Sequence, residues 1–147
     1  MKIYTSYFGN LKKIRQCIPN MCCISIAGKT PRWFFDVPNC YSYKLLAPKY
    51  VWWKEWHDRF SDDPDSAKSI EFYCSKYCDT VLDKLNADAI RNEIERLSYG
   101  NDVCLMCYET PEKFCHRHLI CNWLKENGID CVELEIEEYL EGKKRHA

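Results

Sequence analysis

Apolar residues along this chain follow two rhythms, and the changes between them mark its elements. Lys2 to Phe8 carries Ile3, Tyr4, Thr5 and Tyr7, the β-branched and aromatic residues of a strand, before Gly9 and Asn10 break the run. Met21 to Ala27 is almost continuously apolar, the pattern of a strand buried on both faces of a parallel sheet, and Gly28 closes it. Leu11 to Gln16 has room for only a turn or two of helix between them. Gly28 to Pro48 shows no clean period, and its prolines and aromatics indicate an ordered, irregular excursion of a length that tends to be functional.

Helical spacing then takes over. Tyr50 to Phe60 reads as an aromatic-rich helix, and the break at Ser61 to Asp65 precedes a second one over about Asp65 to Leu85, where Ile70, Tyr73, Tyr77, Val81 and Leu85 recur at three- and four-residue intervals. Asn86 is placed as an N-cap for a third, with Ile90, Ile94 and Leu97 as its apolar stripe and Gly100 as its end. Asp102 to Tyr108 is a further buried strand. The loop Glu109 to Glu112 leads into a helix over about Phe114 to Glu126, Gly128 ends it, and Cys131 to Ile136 alternates as the last strand before a charged tail from Glu137. This order predicts an α/β fold: one domain over residues 1–147, in three layers, with a mainly parallel sheet of about four strands between helices.

Composition narrows the reading. The 147 residues, 46% hydrophobic and 14% aromatic, contain enough apolar material for one core. With 21 Lys+Arg against 22 Asp+Glu the formal charge is −1, so no global positive field points to nucleic acid or a membrane, and any anion site must be local. No apolar run is long enough to span a bilayer and the first residues lack a signal-peptide pattern, so a soluble cytoplasmic protein is expected. In that reducing setting the 11 cysteines read as thiols rather than as a disulfide framework. Cys22, Cys23, Cys74, Cys78, Cys104, Cys121 and Cys131 are assigned to packing.

Chemistry concentrates between Cys107 and Arg117. A strand delivers Cys107 near its carboxyl end, and a short loop delivers Cys115, His116 and Arg117 to the first turn of a helix, the place where open α/β sheets bind ligands. Unpaired N–H groups, the Arg117 fork and a thiol of lowered pKa would suit an anion or an electrophile there. Arg117 has a plainer role available, pairing with Glu109 or Glu112 to tie the loop. A zinc knuckle from Cys104, Cys107, Cys115 and His116 is not expected, because residues three apart on a strand point to opposite faces; no metal site is assigned. The aromatic and basic stretches Lys29 to Phe35 and Lys49 to Trp56 raise nucleic-acid binding, but a Trp-rich helical stripe in a neutral protein reads first as core.

Ile3 to Tyr7, Ser25 to Phe34, Leu46 to Pro48, and above all Leu105 to Leu119, with a Cys-x-Glu at Cys107 and Glu109 followed by Cys115, His116 and Arg117, resemble family 488 of the domains of unknown function, in its short bacterial and phage branch. The resemblance implies an α/β fold and a shared Cys/Glu/Cys/His/Arg site without supplying a reaction. The expectation is therefore a pocket where Asn10, Ser25, Gly28, Cys107, Glu109, Cys115, His116 and Arg117 converge, with Arg32 and Trp33 on its rim. It would serve a small cysteine-dependent enzyme acting on an anionic, nucleotide-like substrate. Cys107, Cys115, Glu109 and His116 are the catalytic candidates, and Arg117, Asn10, Ser25, Gly28, Arg32 and Trp33 the substrate-binding ones. The alternatives are a non-catalytic module for a nucleotide or nucleic-acid end, and a structural domain whose Cys/His/Arg cluster fastens a loop. The sequence identifies no cofactor.

Overall fold

In a computed structural model, which describes residues 1–145, the chain forms a five-stranded, wholly parallel sheet with six helices around it. The strands are β1 (Ile3–Tyr7), β2 (Cys22–Ser25), β3 (Cys40–Ser42), β4 (Val103–Cys107) and β5 (Cys131–Glu133), in the spatial order β3-β2-β4-β1-β5. The helices are α1 (Leu11–Cys17), α2 (Tyr50–Phe60), α3 (Ala67–Thr80), α4 (Ala87–Leu97), α5 (His116–Glu126) and α6 (Ile136–Arg145). Every residue of the central strand β4 is buried, which is why its sequence is an unbroken apolar run.

The pleat divides the core in two. Val103, Leu105 and Cys107 face a layer that contains Tyr73 and Tyr77 of α3, Ile90 and Ile94 of α4, and Ile120 and Leu124 of α5. Cys104 and Met106 face the other layer, with Leu11 and Ile14 of α1, Phe34, and Ile136 of α6. The helices that follow β1 and β4 thus lie on opposite faces while the two strands are neighbours. That reversal opens a crevice at the strands' carboxyl ends, the usual ligand position in such sheets.

Local signals account for most boundaries. The Asn86 Oδ1 accepts from the Ala89 N–H at 2.9 Å and Ser66 Oγ from the Ser69 N–H at 3.2 Å, capping α4 and α3. Gly100 and Gly128, at φ of 79° and 76°, end α4 and α5 in the left-handed conformation that glycine adopts without strain. Two expectations are corrected. A fifth strand, β3, lies inside the Gly28 to Pro48 excursion; three residues on a sheet edge are too few to show a period. The charged segment from Glu137 is helical: Ile136, Tyr139 and Leu140 pack on the α1-side core, and Glu137, Glu138 in the first turn and Lys143, Lys144, Arg145 in the last suit the helix dipole. Residues 146 and 147 of that tail lie outside the described residues. The last strand is correspondingly shorter than Cys131 to Ile136. No helix among the described residues is long and apolar enough to cross a membrane.

Candidate functional site

Cys107 is the last residue of β4, and its side chain follows Val103 and Leu105 to the α5 side of the sheet. Cys115 is the N-cap of α5, with extended backbone (φ −154°, ψ 147°) and no side-chain cap bond, so its sulfur is free to turn toward Cys107. The two meet as a disulfide pair, with Cα atoms 7.6 Å apart. The other cysteines of the chain are free thiols.

His116 is buried beside them. Its Nε2 lies 2.7 Å from the Ile26 carbonyl oxygen, and since a carbonyl only accepts, Nε2 carries the hydrogen. Nδ1 therefore keeps its lone pair and faces the Cys115 sulfur at 3.8 Å. Burial is the main force that pulls the His116 pKa down to about 4, with the Arg117 charge adding to it, so the ring is neutral at physiological pH.

Arg117 is fully buried beneath this floor. Its Nε and Nη2 donate to the two carboxylate oxygens of Glu133 at 3.0 Å each, a bidentate pair. Nη1 donates to the Cys107 sulfur at 3.1 Å and also to the Glu109 carbonyl oxygen. Thr5 Oγ1 completes the group with a 2.6 Å bond to Glu133. The partner of Arg117 is thus the β5 carboxylate rather than the Glu109 or Glu112 side chain, and with four of its five N–H donors occupied and no exposed surface the guanidinium is not placed to clamp a solvent-borne anion.

Above the floor opens a cavity of about 820 Å³. Cys107, Cys115 and His116 form its base; Tyr50, Trp53, Trp56, Tyr73, Tyr108 and Phe114 supply aromatic walls; Lys29, Lys44 and Lys49 bring cationic groups; and Glu109 is the only carboxylate among the described lining residues. The Tyr108 hydroxyl donates to the Lys29 carbonyl oxygen at 2.5 Å and ties two of the loops together.

The expected convergence is therefore divided. Gly28, Cys107, Glu109, Cys115 and His116 line the cavity. Ser25 lies between Ile24 and Ile26, which face the α5 side, and so points the other way, where its Oγ shares a 2.6 Å hydrogen bond with Thr30. Asn10 donates to Ser6 Oγ at 3.1 Å, also away from the sulfurs. Arg32 and Trp33 are exposed outside the cavity, and Trp33 packs edge-on against Phe8 of the α1-side core. Sequence reasoning missed Glu133 and Lys44, and it set aside Lys49 and the aromatic wall by reading the Lys49 to Trp56 stretch first as core. Within the Tyr50 to Trp56 group only Trp52 is core, donating to Thr80 Oγ1 at 2.9 Å, while Tyr50, Trp53, Trp56 and the neighbouring His57 turn to the cavity. Their three- and four-residue spacing was the available signal.

The sequence matches the family DUF488-N3a, described as the active DUF488-N3 subclade, over residues 24–128. That segment contains every residue lining the cavity. No curated protein and no solved structure matches the chain.

Proposed function

We propose, for a chain that belongs to the active DUF488-N3 subclade, that the cavity is the substrate site of a cysteine-dependent enzyme acting on an anionic, nucleotide-like substrate. The observation that carries this reading is the meeting of aromatic walls, lysines and a sulfur floor in one cavity. Aromatic faces hold a planar base by stacking, worth about 1–3 kcal/mol per base. Lys29, Lys44 and Lys49 give a protein of net charge −1 a local positive field matched to phosphate.

The floor supplies the chemistry. Nδ1 of neutral His116 accepts the Cys115 thiol proton, leaving a thiolate at the N-terminus of α5, where the unpaired N–H groups favour negative charge. Arg117 steadies the Cys107 sulfur in the same way. Glu109 is the acid–base group on the substrate's side of the sulfurs. The reduced pair is the working form, so a reducing, cytoplasmic setting is part of the proposal.

The test is a titration of the reduced protein with nucleoside mono-, di- and triphosphates, read by tryptophan fluorescence and melting temperature. Binding should quench Trp53 and Trp56 and raise the melting temperature, and Lys44→Ala with Lys49→Ala should weaken the affinity and flatten its salt dependence. Iodoacetamide should label Cys115 near pH 7 faster than the half-buried Cys74, and Cys115→Ser should remove that fast phase while nucleotide binding persists. A protein that answers to no nucleotide overturns the substrate assignment. One that, freed of divalent metal, binds a nucleotide yet has no fast thiol is a binding module.

A further inference from the structure

The floor of the cavity also has the composition and arrangement of a metal centre. Resting on the substrate site just proposed and deepening it, we infer that in the reduced protein Cys107 Sγ, Cys115 Sγ and His116 Nδ1 together bind one zinc-class divalent ion whose fourth coordination position opens into the cavity.

Geometry comes first. The three ligand atoms are buried and all lie within 4.8 Å of one another. Tetrahedral zinc, with bonds of about 2.3 Å to sulfur and 2.0–2.1 Å to nitrogen, sets its donors about 3.5–3.8 Å apart. Cys115 Sγ and His116 Nδ1 already stand 3.8 Å apart. Reduction breaks the bond between the Cys107 and Cys115 sulfurs, whose Cα atoms are 7.6 Å apart, and frees them to separate to the distance that two thiolates take on a common ion. This set is the four-residue list considered and set aside on sequence grounds, less Cys104, which faces the opposite core.

The groups behind the donors point the same way. A metal-bound histidine characteristically donates its other ring N–H to a carbonyl or carboxylate, which fixes the tautomer that leaves a lone pair for the ion. His116 does this with the Ile26 carbonyl at 2.7 Å. A guanidinium N–H rests on the Cys107 sulfur at 3.1 Å, the contact that stabilises a thiolate ligand. Charge agrees as well. Arg117 and Glu133 neutralise each other, so two bare thiolates would leave the buried floor doubly negative, whereas two thiolates with a divalent cation leave it neutral.

Binding displaces the two thiol protons to solvent, transfers no electron, and leaves one water as the fourth ligand. The sulfurs then act as ligands, and the ion would lower the pKa of the water in its fourth position. The cavity and its dependence on both cysteines stay as proposed.

The experiment uses the full chain, reduced with a phosphine and freed of metal, and titrated with Co²⁺ and then Zn²⁺. One Co²⁺ per chain should bind with the visible bands of tetrahedral cobalt and a near-ultraviolet sulfur-to-cobalt charge-transfer band. Two protons should be released per ion, and Zn²⁺ should displace the colour and suppress Cys115 alkylation at least tenfold. Cys107→Ser and Cys115→Ser should each abolish the charge-transfer band at unit stoichiometry, while Cys23→Ser, in the opposite core, should leave it intact; circular dichroism of the metal-free variants checks their folding. An octahedral spectrum, binding that survives both floor substitutions, or alkylation indifferent to Zn²⁺ overturns the inference. Nucleotide binding without metal binding defeats only the metal site, and metal binding without nucleotide binding defeats only the substrate assignment.

Discussion

Replacing Arg117 with lysine separates its observed role from the anion clamp that the sequence also permitted. Lysine keeps the charge but loses the planar fork, so the paired bonds to Glu133 and the bonds to the Cys107 sulfur and Glu109 carbonyl cannot all be remade. Hydrogen bonds to charged groups contribute about 1.5–3 kcal/mol each. Breaking a fully buried pair costs about 3–5 kcal/mol. Glu133 is 24% exposed while Arg117 is completely buried, so water relieves part of the stranded carboxylate. Allowing for one bond recovered by the lysine ammonium, a loss of about 2–4 kcal/mol follows, equivalent to a fall of roughly 5–15 °C in melting temperature for a chain of this size. The assay is urea denaturation under reducing conditions, with Glu133→Gln and the double variant completing a thermodynamic cycle. The pair should show a coupling of at least about 1 kcal/mol. An Arg117→Lys protein as stable as the parent, or a cycle with no coupling, would refute the structural role.

Two further predictions concern the walls and the floor. Trp52→Ala, in the core, should cost about 3–5 kcal/mol, whereas Trp53→Ala, on the cavity wall, should cost clearly less and instead remove most of the nucleotide-induced fluorescence change; equal stability losses would contradict the division of that helix. His116, its pKa depressed to about 4 from 6.5, binds fewer protons folded than unfolded between those values, so its contribution is full above pH 6.5 and is lost as pH falls toward 4. The metal-free protein should therefore lose up to about 3 kcal/mol more than a His116→Asn variant across that window, and parallel pH profiles for the two would show that His116 titrates normally.

Much of the fold was legible because its three inner strands are largely buried on both faces and so write themselves as apolar runs: β1, β2 and β4 stand where those runs are. β3 was hidden by its brevity, and α6 by charges that outnumber Ile136, Tyr139 and Leu140 on its packing face. At the site, the segment from Cys107 to Arg117 was visible in composition, but parity along the strands decided which neighbours it would meet. Ser25 and Cys107 both end strands, yet one side chain follows Cys23 and the other follows Leu105, to opposite faces. The parity of β2 was readable from Ile24 and Ile26. The partner of Arg117 was not, because Glu133 reaches it only through the pairing of β5 with β1.

That long-range partner bears on how the floor is held. Arg117 connects three segments through one guanidinium: the end of β4 through the Cys107 sulfur, the following loop through the Glu109 carbonyl, and β5 through Glu133. Cys107 and Cys115 approach from different elements, so a sulfur pair aimed into a cavity needs something that fixes strand, loop and helix start together. A buried cation does so only where its charge is neutralised locally, and Glu133, anchored by Thr5, does this from outside the segment 24–128 that matches the family. The cavity floor is thus held in place by a carboxylate that does not line the cavity. A search confined to lining residues would pass over Glu133, although removing its charge should disturb the Cys107 sulfur by way of Arg117.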